Sequence, residues 1–176
     1  MLFNPIIMKK LYAACFILGI IFLQGCEGPA GPQGPPGQDG EVIASSAFEL
    51  EGVSFNSGND YSIVEEYGFE VLPSDVVLVY ILWETDGNEI WRLLPQTVFL
   101  DGGILQYNYD FTLVDVSVFL DGTIDFSILD PEWTTGQILR FVVVPADFVD
   151  ARMDFSDYEA VTRMLGLEEE DFQRRK

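Results

Sequence analysis

Asp75-Val76-Val77-Leu78-Val79-Tyr80-Ile81-Leu82-Trp83 runs directly into Glu84-Thr85-Asp86-Gly87-Asn88, and this pairing of a long apolar run with a tight turn decides the fold. The run is rich in β-branched and aromatic residues and lacks the three-to-four spacing of an amphipathic helix, so it reads as a buried strand. Asp-Gly supplies the positive backbone angles of a two-residue hairpin turn, and Glu89 to Leu94 is the returning partner. The same grammar continues downstream. Thr97 to Leu100 and Ile104 to Phe111 flank Asp101-Gly102-Gly103, while Val114 to Leu120 and Thr123 to Leu129 flank Asp121-Gly122. Phe99-Leu100-Asp101-Gly102 recurs as Phe119-Leu120-Asp121-Gly122, which places each copy at a hairpin tip. Leu139 to Val144 is a last central strand closed by Pro145, and residues 41–55 and 61–66 supply the sheet edges. Leu105, Tyr107, Tyr109 and Phe111 alternate with polar neighbours, as do Val114, Val116, Val118 and Leu120, the pattern of a sheet wet on one face. The expected fold class is therefore mainly β, an antiparallel meander forming a sandwich or barrel, with one short C-terminal helix.

That helix is expected behind Ser156-Asp157-Tyr158-Glu159, whose serine and glutamate have the spacing of a capping box. Tyr158, Val161, Met164 and Leu165 then recur at helical spacing as far as Gly166, a residue suited to stopping a helix. Glu168-Glu169-Glu170-Asp171 passes into Arg174-Arg175-Lys176 and reads as a frayed tail or a short second helix.

The other end of the chain carries a different signal. Met8-Lys9-Lys10 is basic, Leu11 to Leu23 is apolar, and Leu23-Gln24-Gly25-Cys26 closes the run in the order of an export leader. Residues 1–7 precede this start awkwardly, which makes Met8 rather than Met1 the expected initiator. The apolar run is shorter than the roughly 20 residues a spanning helix needs. Leu-x-Gly-Cys resembles the lipobox of bacterial lipoprotein signals, and the resemblance implies that Cys26 becomes the lipid-modified first residue of the mature chain. Glycine then falls at 28, 31, 34, 37 and 40, with proline at 29, 32, 35 and 36, the Gly-X-Y period of collagen. Four or so triplets are too few to hold a triple helix alone. The segment reads as a stiff stalk of about 3.1 Å per residue, roughly 40 Å in all. A monomer is favoured, and a homotrimer follows if the globular domain itself trimerises. The expected organisation is a leader over residues 1–25, lipidated cysteine and spacer over 26–40, a β-rich domain over 41–150, and helix with charged tail over 151–176.

Charge and composition exclude more than they identify. The formal net charge is −20, and losing Lys9 and Lys10 with the leader deepens it. Nucleic acid and anionic membrane surfaces, which need clustered Lys and Arg, are poor partners for such a chain. There is no histidine, and of the two cysteines Cys15 lies in the leader and Cys26 at its end. Ser-His-Asp and Cys-His catalysis and the usual zinc sites are thereby excluded. Catalytic residues are accordingly assigned to none, and no cofactor is expected, with calcium the one candidate. Asp86, Asn88 and Glu89 form the closest local set of hard oxygen ligands, yet they do not make an EF-hand loop, and the hairpin needs its Asp-Gly for the turn in any case. Trp83, Trp91, Trp133, Tyr107 and Tyr109 are candidates for a carbohydrate platform, although aromatics at alternating strand positions more often serve the core. Trp133 stands apart because it sits in the polar loop Asp130-Pro131-Glu132-Trp133-Thr134-Thr135-Gly136, which makes it the candidate binding residue.

Cys26-Glu27-Gly28-Pro29, Val76-Val77-Leu78-Val79-Tyr80, Trp91-Arg92-Leu93-Leu94-Pro95-Gln96-Thr97 and Val144-Pro145-Ala146-Asp147-Phe148 together resemble a group of Bacteroidota envelope lipoproteins built from a lipobox cysteine, a short collagen-like run and a β-rich domain. The resemblance implies a cell-envelope location, lipid-anchored and in the outer membrane, with the periplasmic and outward faces both open. It lends no catalytic residue. The expectation is a membrane-anchored, non-catalytic module displaying its β-domain to a protein or glycan ligand. The alternatives are a carboxylate-based glycan hydrolase and a calcium-dependent binding module.

Overall fold

The computed structural model describes Lys9 and residues 47–85, 88–148 and 153–176. Cys26, the Gly-X-Y run and Asp86 lie outside them, as do the side chains of Glu84, Thr85 and Asn88. One compact unit spans Val42–Lys176 and takes in the strands and the C-terminal helix together.

Nine strands are found among the described residues: β1 (Ala47–Val53), β2 (Ser62–Glu66), β3 (Val76–Thr85), β4 (Asn88–Leu93), β5 (Gln96–Leu100), β6 (Gly103–Phe111), β7 (Asp115–Gly122), β8 (Gln137–Val144) and β9 (Gln173–Arg175). They form two sheets, a five-stranded one in the order β4-β3-β8-β1-β9 and a four-stranded one in the order β2-β7-β6-β5. The fold is mainly β, a meander divided between two separate sheets, and so a sandwich rather than a barrel. Two helices accompany them, α1 (Pro131–Thr134) and α2 (Tyr158–Leu165). Among the described residues no helix is long and apolar enough to cross a membrane.

The two kinds of strand pattern have one cause, the number of faces each sheet buries. Val77, Val79, Ile81, Leu139, Phe141 and Val143 from the larger sheet meet Leu105, Tyr107, Val116, Val118 and Leu120 from the smaller one. Phe48 of β1 stacks on Phe141, its register partner in β8, with ring centroids 4.6 Å apart. Each fully buried side chain of this size contributes about 1.5–3 kcal/mol. The opposite face of the larger sheet is also covered. Leu78, Tyr80, Val142 and Val144 pack with Val161 of α2 and with Leu167 and Phe172 beyond it. Burial on both faces is why β3 and β8 are nearly unbroken apolar runs, whereas β6 and β7 alternate.

Several expectations are corrected by this arrangement. Thr123 to Leu129 is not a strand: Ile124 and Phe126 pack onto the core from a loop and a 3-10 turn at Phe126–Ile128. The Asp125 carboxylate accepts from the backbone N–H and hydroxyl of Ser127 and closes that turn. Asp121-Gly122 is consequently no hairpin tip, since both residues still pair with β6, Asp121 with Gln106 and Gly122 with Leu105. Asp101-Gly102 does sit at the β5–β6 turn. The first strand is not an edge either, because β9 pairs with it in parallel, Phe48 with Gln173 and Leu50 with Arg175. The tail is not frayed: its acidic stretch forms the short second helix, a 3-10 turn at Glu169–Asp171, and its basic end is β9, an added edge strand that leaves β8 the last central one. α2 is capped by Asp157, whose side chain accepts from the Ala160 N–H, and not by a Ser156–Glu159 box; the Ser156 hydroxyl donates to Asp154 instead. Gly166, at φ 66°, ends the helix as expected.

Candidate functional site

The chain closes around a cleft at the end of the sandwich where β3, β6 and β8 lie near α1. It holds about 450 Å³ and is lined by Leu82, Trp83, Tyr107, Glu132, Trp133, Gln137 and their neighbours. Local sequence explains how Trp133 arrives there. Pro131 occupies the first position of α1, where its missing N–H costs nothing, and Thr135 ends the helix after a single turn. Gly136, at φ 75°, then swings the chain into β8. The loop is pinned to the body by two bonds: Phe55 N–H donates to the Thr134 carbonyl at 2.8 Å, and the Tyr107 hydroxyl donates to the Trp133 carbonyl at 2.6 Å.

The aromatic residues touch one another. Trp83 lies 6.0 Å from Trp133 and 6.5 Å from Tyr107 between ring centroids, the latter pair nearly perpendicular. Arg92 of β4 sits over the Trp83 ring at 4.4 Å. Tyr107 is wholly buried, and burial raises its pKa far above that of a free tyrosine, so it serves as a neutral donor and packing block. Trp133 is half-buried against the core, and its residual surface belongs to the cleft. Trp91 and Tyr109 are not in the cleft. Trp91 faces α2 and lies 5.6 Å from Tyr158, while Tyr109 donates to the Val77 carbonyl at 3.0 Å inside the core.

A second cluster was missed by sequence reasoning. Arg140 in β8 is 3% exposed and Glu49, opposite it on β1, is 4% exposed. Arg140 Nε donates to the Glu49 carboxylate at 2.7 Å, and its two terminal nitrogens donate to the Tyr158 hydroxyl and to Glu169. Its guanidinium also lies 4.1 Å from the Trp91 ring and 4.3 Å from Phe172. Burial works against the charge of Arg140, but the hydrogen bonds to Glu49 and Tyr158 outweigh it and raise its pKa above that of an ordinary arginine. The signal was present in Leu139-Arg140-Phe141-Val142: a cation inside a two-sided apolar strand must find a buried partner. The cluster ties α2 and the C-terminal segment to the larger sheet, and its groups are spent on one another.

Glu89 is exposed on β4, and Asn88 pairs with Thr85 at the start of the same strand. Among the described residues no group of three or more acidic, histidine or cysteine side chains is placed to hold a metal ion. No family model, curated protein or solved structure matches this chain.

Proposed function

We propose that this chain is a lipid-anchored cell-envelope lipoprotein whose β-sandwich binds a protein or glycan ligand without acting on it chemically. The observation that carries the binding role is the cleft faced by Trp83 and Trp133. A concave site with exposed aromatic surface and a few polar groups is the usual form of a ligand seat. Hydrolysis of a glycan calls for two carboxyl groups roughly 5 to 10 Å apart across the bond. Glu132 is the one carboxylate lining this cleft among the described residues, which favours binding over cleavage. The anchor is supported by the lipobox sequence ending at Cys26, and the outer membrane is the proposed location.

Two experiments test the halves of this reading. Full-length chain expressed in a bacterium with lipoprotein processing incorporates labelled fatty acid and sediments with membranes, and Cys26→Ser abolishes both; an unlabelled wild type refutes the anchor. Detergent-solubilised full chain probed against arrays of envelope polysaccharides and proteins gives signals that Trp133→Ala removes while far-ultraviolet dichroism is kept. Signals indifferent to Trp133→Ala refute the cleft as the binding site.

A further inference from the structure

Resting on the binding role proposed above, we infer that the cleft takes a neutral, hydroxyl-rich glycan and discriminates against anionic ones. Two polar side chains of the lining, Glu132 and Gln137, offer acceptors to a ligand that donates. Gln137 uses its amide N–H groups on the Glu132 and Thr135 carbonyls, at 2.8 and 3.3 Å, and so offers its own carbonyl oxygen. Glu132 is exposed and offers two further acceptor oxygens, the geometry that meets a pair of neighbouring sugar hydroxyls. No lysine or arginine lines the cleft.

An anionic glycan would set its charge against Glu132 with no cation in the lining to answer it. It would also approach a chain of formal net charge −20. Arg92 does not change this, since it lies over Trp83 but is not a lining residue. An aromatic cage for a quaternary ammonium is not formed either, since it takes several ring faces around one open point. Here the rings are packed on each other at 6.0 and 6.5 Å, Tyr107 is wholly buried, and the Arg92 guanidinium already covers one face of Trp83. What the cleft leaves open is indole surface beside hydrogen-bond acceptors. A pyranose ring matches both, with its C–H face on the indole and its hydroxyls on Glu132 and Gln137.

The test uses detergent-solubilised full chain, titrated calorimetrically and by tryptophan fluorescence with neutral gluco- and manno-oligosaccharides, oligouronates and chitosan oligomers. The neutral sugars are expected to saturate. Glu132→Gln, at an exposed position that leaves the fold intact, weakens their binding by about tenfold or more, as loss of a charge-assisted hydrogen bond requires. Tighter binding of oligouronate or chitosan, removed by Trp133→Ala, overturns the neutral specificity and leaves the cleft as a glycan site. Silence with every sugar overturns the inference. In that case the protein half of the array decides whether the broader binding role also fails.

Discussion

Replacing Arg140 by methionine keeps most of its volume and removes its charge, leaving Glu49 buried with only Arg174 nearby, at 3.6 Å. Arg174 is 62% exposed on its side chain, so it neutralises Glu49 through solvent-screened contact and cannot replace a buried fork. The remaining penalty is that of a charge stranded in the interior, about 3–5 kcal/mol for a broken buried pair. Set against a typical domain stability of about 5–15 kcal/mol, that is a large share. At about 4 °C per kcal/mol it corresponds to a fall in Tm of roughly 12–20 °C. The decisive variant is the double one, Arg140→Met with Glu49→Leu, which removes the stranded charge together with its partner. Its loss is expected to be smaller than the sum of the two single losses by about 1–3 kcal/mol. Urea unfolding of the four proteins, compared through midpoint and slope, measures this. Losses that simply add, or an Arg140→Met loss below about 1 kcal/mol, would refute the account of a desolvated, mutually dependent pair.

Gly122→Ala is expected to be destructive, because at φ 140° a Cβ would stand 2.0 Å from the Ile104 carbonyl oxygen; Gly102→Ala, with open space around it, is milder, and thermal melts rank the two. Asp157→Ala should cost about 1 kcal/mol in urea unfolding through loss of the helix cap, with Ser156→Ala costing less. Alkaline pH should unfold the protein through its buried tyrosines. Burial raises the pKa of Tyr67 from 10.0 to about 12, and those of Tyr80, Tyr107 and Tyr109 upward as well. The unfolded chain then releases these protons first, so stability is full below pH 10 and declines above it. Melting temperature against pH, alongside tyrosinate absorbance, shows whether the decline begins there; a melting temperature flat through pH 12 contradicts the assignment.

Strand positions were legible wherever burial wrote a period into the chain. Val76 to Leu82 and Leu139 to Val144 declared themselves by unbroken apolar runs, and Leu105 to Phe111 by alternation. The errors fall where tertiary contacts override local pattern. Thr123 to Leu129 alternates like a strand, but Asp125 captures Ser127 and the preceding pairing already ends at Gly122. Gln173-Arg174-Arg175 has almost no strand propensity. It is held by Arg175, which donates to Glu65 at 2.9 Å and to the Tyr67 carbonyl at 2.7 Å and lies 3.9 Å over the Phe48 ring. None of those partners is near it in sequence. The cleft was half legible: Trp133 stood out from its polar loop, while its meeting with Trp83, fifty positions earlier, belongs to the assembled sandwich.

The pairing of β9 with β1 has a kinetic consequence. Phe48 is among the first residues of the described sandwich to be synthesised, and Gln173, its register partner, is among the last. Until residues 173–175 have been made, β1 is an open edge of the larger sheet and the cross-sheet clasp of Arg175 onto Glu65 cannot form. Contacts of such long sequence separation slow folding, because their loop must be closed before they return any energy. Residues 173–175 act as a latch on the order of assembly.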